Sequence, residues 1–150
     1  MVIRRARPED AERLTAIAHA AKRHWGYPEN FLRLWKADLT VTTASIAADI
    51  VYCALRELDI VGFYALSQEA TVFELEHMWV EPAHMEHGYG SLLFRHAVET
   101  VRSHGGTLLR IASDPHAEEF YRRMGARRVG EQPSVPAGRT LPLLVVEFDG

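Results

Sequence analysis

The sequence predicts an α/β (α+β) domain, a mixed and mostly antiparallel sheet of about seven strands with helices on both faces. Three observations support this fold class. Residues 50–80 alternate apolar and polar side chains through three segments with tight links, which is typical of an antiparallel meander. Residues 71–112 follow the order strand, glycine loop, helix, strand, which predicts a βαβ unit with parallel strands. With 150 residues, 47% of them hydrophobic, the chain has the size of one domain, residues 1–150.

Composition argues against several classes of protein. The formal net charge of −3 disfavours a general nucleic-acid binder and is compatible with a cationic small substrate. Cys53 is the only cysteine, so no intramolecular disulfide can form, and its apolar neighbours favour a buried side chain over a catalytic thiol. No apolar run approaches the about 20 residues of a membrane span, and no signal-peptide core follows the N-terminal arginines. We therefore predict a soluble, cytoplasmic protein with no nucleic-acid or membrane partner.

The first third of the chain is mostly helical. Residues 2–6 form a short predicted strand. Pro8, with acidic residues after it, begins a helix that should run to about Arg23, before a break at Gly26. A second helix is predicted for residues 29–37. Thr43 is the predicted cap of a short helical turn that ends near residue 49.

The rest of the chain alternates strands and helices. A helix after Gly90 should continue to about His104, where Gly105-Gly106 ends it. Another helix starts with Asp114 as its N-cap and finishes at residues 124–125. A Pro/Gly/Ser-rich loop is expected at residues 131–139. The predicted strands are 50–56, 60–67, 71–80, 107–112, 126–130 and 140–148.

Residues 74–91 carry the strongest chemical signal. A strand with Glu74 and Glu76 on one face runs into Pro82 and then into a Gly88-Tyr89-Gly90 loop that opens a helix. Backbone N–H groups converge at such a helix start and favour an anion. The segment therefore predicts an anion site beside two carboxylates, which suits a phosphate-bearing cofactor next to an acid/base group.

Two motifs resemble the GNAT superfamily of N-acetyltransferases. The first is Val80-x-Pro82 followed by Gly88-x-Gly90, and the second is Asp114-Pro115-x-Ala117-x-x-Phe120-Tyr121-x-x-x-Gly125. The resemblance covers the whole chain in element order, and its specificity lies in residues 74–125. It implies a single-domain GNAT-like fold that uses acetyl-CoA (coenzyme A) as co-substrate and acetylates a small-molecule or peptide amine. Homodimers are common in that family, so a homodimer is one expectation.

The resemblance implies where acetyl-CoA binds. The pyrophosphate would lie on the amides of residues 85–91, and pantetheine would follow the backbone of residues 78–80. The family usually has Arg or Gln, then Gly, where this chain has Met85 and Glu86, so we expect backbone-mediated binding with the Glu86 side chain in solvent. Asp114 replaces a frequent Asn, and two roles stay open for it: a pantetheine contact, or the helix cap alone. The implied cofactor-binding residues are Met78, Trp79, Val80, Met85, Glu86, His87, Gly88, Tyr89, Gly90, Ser91, Asp114, Ala117, Phe120 and Tyr121.

Tyr121, Glu76 and Glu74 are the catalytic candidates. By resemblance the Tyr121 phenol lies near the thioester sulfur. Full proton transfer from a phenol to a thiolate is uphill by about 2 kcal/mol, so hydrogen-bond support of the leaving thiolate is the safer description. An amine acceptor must lose a proton before it attacks, and either carboxylate could receive it. Glu76 is preferred because it lies closer to the thioester, and cross-strand polar pairing is the alternative for both.

Other side chains carry weaker predictions. Trp25 and Tyr27, at the corner between the first two helices, could form an acceptor pocket by cation–π contact or could simply pack together. Arg139 could contact an acceptor carboxylate. His84 and His87 suggest zinc, but no Cys pair or His-Glu-x-x-His spacing accompanies them, so we predict no metal. The competing functions are a non-catalytic acyl-CoA-binding or regulatory domain and, third, a metal-dependent hydrolase.

Overall fold

The computed structural model describes residues 2–149 and contains a seven-stranded mixed sheet. The strand order is β1-β2-β3-β4-β5-β7-β6, and β4 and β5 form the parallel pair of this sheet. The strands are β1 Val2–Arg5, β2 Ile50–Arg56, β3 Asp59–Glu69, β4 Val72–Val80, β5 Leu108–Ala112, β6 Arg127–Pro133 and β7 Thr140–Glu147. The helices are α1 Ala11–His24, α2 Glu29–Leu34, α3 Thr43–Ala48, α4 Tyr89–Ser103 and α5 Glu118–Arg123. The predicted fold class, the antiparallel meander and the parallel βαβ unit are confirmed.

Each face of the sheet has its own apolar core. Helices α1 to α3 cover one face, where Leu14, Ile17 and Phe63 are buried. Helices α4 and α5 cover the other face, where Phe94 and Leu109 are buried. Burying apolar area on both faces stabilises this three-layer arrangement. The central strands are therefore held between two layers of helix.

Several predicted boundaries are wrong, each for a local reason. Thr42, not Thr43, caps α3: its hydroxyl accepts from the Ser45 amide at 3.0 Å, and Ser45 Oγ accepts from the Thr42 amide at 2.9 Å. The first helix begins with a 3-10 turn, Pro8–Asp10. Helix α2 ends at Leu34 instead of residue 37, because Trp35 leaves the helical path and packs into the core.

Strand β6 is longer than predicted. It extends to Pro133, so the expected loop at residues 131–139 shortens to residues 134–139. The extension pairs Glu131 with Pro142 and Pro133 with Thr140. Because β6 is an edge strand, proline is tolerated in this ladder, and the proline-rich composition was misleading.

Candidate active site

A cleft of about 890 Å³ opens where β4 and β5 separate. The two strands pair through three residues, from Val72 with Leu108 to Glu74 with Arg110. Past Glu74, β5 continues against β7, and the backbone of β4 toward Val80 has no β5 partner among residues 2–149. The separation leaves one edge of β4 available to an extended ligand. Helix α1, the loop before α4 and helix α5 supply the other walls of the cleft.

A β-bulge at Glu76 changes which side chains share a face of β4. Leu75 pairs with Leu66 and His77 pairs with Ala65, so Glu76 is the extra residue. The predicted strict alternation is therefore wrong beyond this point. Leu75, Met78 and Val80 pack on the α4–α5 side. His77 and Trp79 lie on the α1 side, where His77 contacts Phe63 and Trp79 joins the core.

The loop before α4 presents unpaired amides at one rim of the cleft. It contains two residues with positive φ, Glu86 at 66° and Gly88 at 85°. The backbone N–H groups of residues 86–91 donate to no acceptor within residues 2–149. Amides left free at the start of a helix attract an anion. The loop thus has the free amides that the predicted anion site requires, and anion binding there stays a prediction.

The side chains of this loop differ in position. Met85, Glu86, Gly88, Gly90 and Ser91 line the cleft. Glu86 is exposed, as expected. The side chain of Tyr89 is buried in the core instead, and neither Tyr89 nor the exposed His87 lines the cleft. These two residues can reach a ligand only through the loop backbone or after a side-chain rearrangement.

Tyr121 lies in the cleft wall with its ring packed on aromatic neighbours. Only 6% of the residue is exposed, and its ring centroid lies 5.5 Å from that of Phe94 and 5.3 Å from that of Phe120. Its hydroxyl makes no hydrogen bond within residues 2–149. Burial raises the pKa of Tyr121, so the group is a neutral phenol with its donor available. Ala117 and Phe120 line the same wall.

The two strand carboxylates have different surroundings. Glu74 does not line the cleft and forms an ion pair with Arg110 at 3.0 Å. Burial raises the pKa of Glu74, and Arg110 opposes that shift. Glu76 lines the cleft, is exposed, and accepts a hydrogen bond from Ser67 Oγ at 2.7 Å. Of the two, Glu76 alone lines the cleft.

Asp114 is buried and saturated with donors. Its side chain caps the 3-10 turn Pro115–Ala117 by accepting from the His116 amide at 2.9 Å. It also forms an ion pair with Lys22 and hydrogen bonds to the Tyr27 hydroxyl at 3.1 Å and to His116 Nδ1 at 2.9 Å. Burial works to raise the pKa of this carboxyl, but Lys22 and His116 outweigh it and hold the pKa below its usual range. Four donors match the about four lone-pair positions of a carboxylate.

The aromatic corner after α1 surrounds the protein's own cations. Lys22 Nζ lies 4.9 Å from the Tyr27 ring and 4.6 Å from the Trp35 ring. The Arg139 guanidinium lies 4.5 Å from the Trp35 ring and donates to the Tyr27 hydroxyl at 3.2 Å. Trp25 lines the cleft, whereas Tyr27 and Arg139 lie behind it. The ring faces of Tyr27 and Trp35 that could receive an amine are thus already taken by Lys22 and Arg139.

Several cleft residues were missed by sequence reasoning. Among them are Lys22, His116, Glu119 and Arg123. His116 could have been noticed, because it lies inside the second motif, two residues after the N-cap. Lys22 gave no signal, because its contact with Asp114 joins residues that are far apart in sequence.

Two further findings concern metal and membrane. Within residues 2–149, no three His, Cys, Asp or Glu side chains are grouped as a metal site requires. His84 Nδ1 is buried without a hydrogen-bond partner there. No described helix is long and apolar enough to cross a bilayer. The absence of a metal stays a prediction.

Known proteins provide an independent comparison. A sequence model of the acetyltransferase (GNAT) family matches residues 9–126. No curated protein matches the sequence. The fold is similar to that of the PaiA N-acetyltransferase from Thermoplasma acidophilum in complex with coenzyme A, with 18% identity, 98% of both chains covered and a TM-score of 0.79.

Two other solved structures have the same fold. The GCN5-related N-acetyltransferase from Rhodopseudomonas palustris is 20% identical, with 98% of this chain and 95% of that chain covered and a TM-score of 0.80. The ribosomal-protein-S18-alanine N-acetyltransferase from Escherichia coli is 14% identical, with 99% and 96% covered and a TM-score of 0.70. At these sequence identities, the similarity to solved structures shows the fold alone. The match to the sequence model of the family shows the family.

Proposed function

Because this chain belongs to the GNAT family of acetyltransferases, we propose that it transfers an acetyl group from acetyl-CoA to a primary amine, directly within a ternary complex. The observation that carries the proposal is the cleft itself. It joins free amides at one rim, an unpaired edge of β4, and the Tyr121 wall. A phosphate, an extended amide chain and a thioester need these three features in this order along one groove.

The residues present fit acetyl-CoA. The amides of residues 86–91 suit its pyrophosphate, since each N–H lacks an acceptor within residues 2–149. A Cβ placed on Gly90 would lie 3.5 Å from the Phe120 ring, an ordinary contact distance, so the start of α4 lies directly against that wall. The unpaired backbone edge of Met78, Trp79 and Val80 suits the pantetheine amides. These amides would make the ladder hydrogen bonds that β5 does not make along this part of β4. Acetyl-CoA supplies the activated acyl group.

Tyr121 supports the leaving thiolate in this proposal. Since burial raises its pKa, the phenol is a weaker acid than tyrosine in water, and complete proton transfer is disfavoured. A hydrogen bond from a preorganised donor strengthens as negative charge develops on sulfur. Such a donor typically accounts for about 100-fold in rate.

The acceptor amine must also lose a proton. At neutral pH an alkylammonium, with a pKa of about 10, has no lone pair for attack. Its position in the cleft lining supports Glu76 as the group that receives the proton, whereas Glu74 is engaged with Arg110 outside the cleft. Glu76 therefore remains the carboxylate candidate for this role.

Asp114 is assigned to capping and ion pairing in this proposal. Its four donors leave no lone pair for a pantetheine amide. The hydrogen bond to pantetheine that the resemblance implies for an Asn side chain would then come from backbone groups of the cleft. This assignment favours the helix-cap alternative over the cofactor contact.

A non-catalytic acyl-CoA-binding or regulatory domain is the second candidate. Glu86 beside the anion site and the saturated carboxylate of Asp114 are the observations that favour it. Both reduce specific contacts to the cofactor without closing the cleft. The two functions therefore differ in turnover, not in binding.

Thermal unfolding with and without acetyl-CoA tests binding, and thiol release tests turnover. A concentration about 100-fold above the dissociation constant adds about 2.7 kcal/mol of stability, so the melting temperature should rise. The amines to test are an amino acid, a polyamine, an aminoglycoside, and peptides with a free N-terminus or lysine. No shift with acetyl-CoA or other acyl-CoAs contradicts both functions, and a shift without turnover supports the binding domain. The acceptor, a homodimer and a cytoplasmic location stay predictions.

A further inference from the structure

His116 lies in the cleft wall beside the aromatic corner after α1. It occupies the middle of the 3-10 turn that Asp114 caps. Its ring stacks on the Trp25 indole, with centroids 4.9 Å apart and planes 4° apart, and meets the Tyr27 ring edge-on at 5.4 Å. Both His116 and Trp25 line the cleft. The ring is therefore fixed in orientation at the mouth of the site.

The hydrogen bonds determine which ring nitrogen carries the proton. Nδ1 of His116 lies 2.9 Å from Asp114 Oδ1 and 3.2 Å from the Tyr27 hydroxyl. The Tyr27 hydroxyl has one proton and donates it to the Asp114 carboxylate at 3.1 Å. An unprotonated Nδ1 would then place its lone pair against a carboxylate oxygen. Nδ1 must therefore be the N–H donor, and in the neutral ring Nε2 carries the lone pair.

Nε2 is the free end of this ring. It makes no hydrogen bond within residues 2–149, and 42% of the His116 side chain is exposed. Asp114 is ionised and buried behind Nδ1, so it can stabilise the imidazolium that forms when Nε2 accepts a proton. A buried carboxylate, an imidazole oriented by it, and an unpaired Nε2 on a residue that lines the cleft are together the components of a general-base dyad.

We propose that His116 is the general base that deprotonates the acceptor ammonium, with Asp114 as its positioning residue. The inference rests on the proposed acetyl transfer. It favours His116 over Glu76 because an imidazole is a stronger base than a carboxylate, and because Glu76 already accepts a hydrogen bond from Ser67. Asp114 is shared with two cations, since it pairs with Lys22 and lies 3.8 Å from Arg139, so its part in the dyad is to hold the ring in position.

In the proposed step, the acceptor ammonium loses one proton to His116 and later a second one to the thiolate. One N–H bond of the ammonium breaks and an Nε2–H bond forms, which leaves the electron pair on the amine nitrogen. That pair forms the C–N bond at the thioester carbonyl, and the C–S bond breaks with its electrons on sulfur. The second proton passes from the nitrogen through solvent to the thiolate as the amide forms, while the Tyr121 hydroxyl donates a hydrogen bond to the sulfur and keeps its own proton. The imidazolium then releases its proton to water at its exposed edge.

The first test observes the ring nitrogens directly and needs no acceptor. In ¹⁵N-histidine-labelled full-length protein at alkaline pH, we expect neutral His116 to show a protonated Nδ1 and an unprotonated Nε2. His116→Asn assigns the signal, and Asp114→Asn should weaken the preference. A neutral His116 protonated on Nε2 overturns the inference even if the protein acetylates amines.

The second test uses the pH dependence of turnover. His116→Asn keeps a donor near the Nδ1 position and removes the base, so kcat/KM for the best amine of the panel should fall about 100-fold at neutral pH. The loss should shrink toward alkaline pH, where the amine deprotonates unaided, and the acetyl-CoA thermal shift should not change. His104→Asn, at the end of α4 outside the cleft, should retain wild-type turnover.

Three outcomes overturn the inference in distinguishable ways. An equal loss in His116→Asn at every pH indicates a structural role for the ring. A pH-dependent loss in Glu76→Gln and none in His116→Asn assigns the base to Glu76. If the wild-type protein binds no acyl-CoA, or binds acetyl-CoA without acetylating any amine, the proposed function is contradicted. The inference is then contradicted with it.

Discussion

The indole of Trp25 and the imidazole of His116 lie parallel, 4.9 Å apart between ring centroids. This contact joins the corner after α1 to the turn before α5, across the mouth of the cleft. Tyr27 and Asp114 connect the same two segments a layer deeper, through a hydrogen bond of 3.1 Å. This end of the cleft is thus shaped by contacts between distant segments.

Trp25→Ala should loosen this end of the cleft without affecting acetyl-CoA. A stacked aromatic pair contributes about 1 kcal/mol, so we expect kcat/KM for the amine to fall about fivefold. Steady-state thiol release measures it, with the acetyl-CoA thermal shift as the binding control. Trp25→Phe retains a ring and should recover most of the activity, and equal losses in both variants would contradict the stacking explanation.

Tyr121→Phe should lower kcat and leave acetyl-CoA binding unchanged. The hydroxyl has no hydrogen-bond partner within residues 2–149, so its removal costs little stability, while the developing thiolate loses its donor. We expect kcat to fall about 100-fold, measured by thiol release at saturating substrates.

Tyr64→Phe is the matched control for that variant. Tyr64 is fully buried outside the cleft, and its hydroxyl bonds His96 at 2.7 Å and Thr100 at 2.9 Å. This variant should lose about 1–3 kcal/mol of unfolding free energy and keep its kcat. A catalytic loss in Tyr64→Phe equal to that in Tyr121→Phe argues against the assigned role.

Lys22→Met should be strongly destabilising. The Lys22 and Asp114 side chains are 9% and 7% exposed, so removal of the cation leaves a buried carboxylate without its charged partner. Breaking such a pair costs about 3–5 kcal/mol, measured by urea unfolding. Lys22→Met with Asp114→Asn should cost less than the sum of the two single variants.

An exposed ion pair provides the comparison. Arg102 and Glu99 form an ion pair on α4, with side chains 57% and 70% exposed. Arg102→Met should change the unfolding free energy by less than about 1 kcal/mol. A similarly small effect of Lys22→Met would show that the buried pair does not hold the cleft wall together.

Stability should decrease as the pH falls below about 6.5, in part through His77. Burial lowers the pKa of His77, and its Nδ1 accepts a hydrogen bond from Trp79 Nε1 at 3.0 Å. Below the ordinary histidine pKa the unfolded chain binds a proton that the folded protein does not, so its stability is retained above that pH and lost below it. The slope from one such group is at most about 1.4 kcal/mol per pH unit.

Urea unfolding at about pH 7.5 and about pH 5.5 measures this effect. His77→Gln should reduce the difference between the two conditions. Burial also lowers the pKa of His19 and His96, so part of the slope should persist. The exposed His87→Gln variant should behave as wild type. An unchanged slope in His77→Gln would refute the assignment.

Glu86→Gly should tighten acetyl-CoA binding. Glu86 is exposed beside the anion site and has a φ of 66°, which costs a non-glycine residue about 1 kcal/mol. The substitution removes a negative charge and that strain together. We expect a severalfold lower dissociation constant at low salt, by calorimetry, and a higher melting temperature without ligand.

Glu86→Gln separates the two contributions. It removes the charge and keeps the backbone conformation, so it should tighten binding without raising the melting temperature. Glu69→Gln, an exposed change at the end of β3, should do neither. Weaker binding in Glu86→Gln would indicate that this side chain contacts the ligand.

Local patterns predicted most of the fold. Period-two segments identified β2 to β4, and glycines and an N-cap placed α4 and α5, because these signals depend on neighbouring residues. The predicted element bounds were wrong where contacts with a distant segment determine the local structure. Trp35 leaves α2 to join the core, and β6 is extended by pairing with β7 despite Pro133.

The same distinction between local patterns and long-range packing holds for the candidate site. By itself the sequence determined the glycine loop before α4, the second motif with Tyr121, and hence the family, because each is a short contiguous pattern. Only the tertiary structure decided the bulge at Glu76, the ion pair of Lys22 with Asp114, and the stacking of Trp25 on His116. These depend on packing between segments distant in the chain, and no local pattern records which side chains such packing brings together.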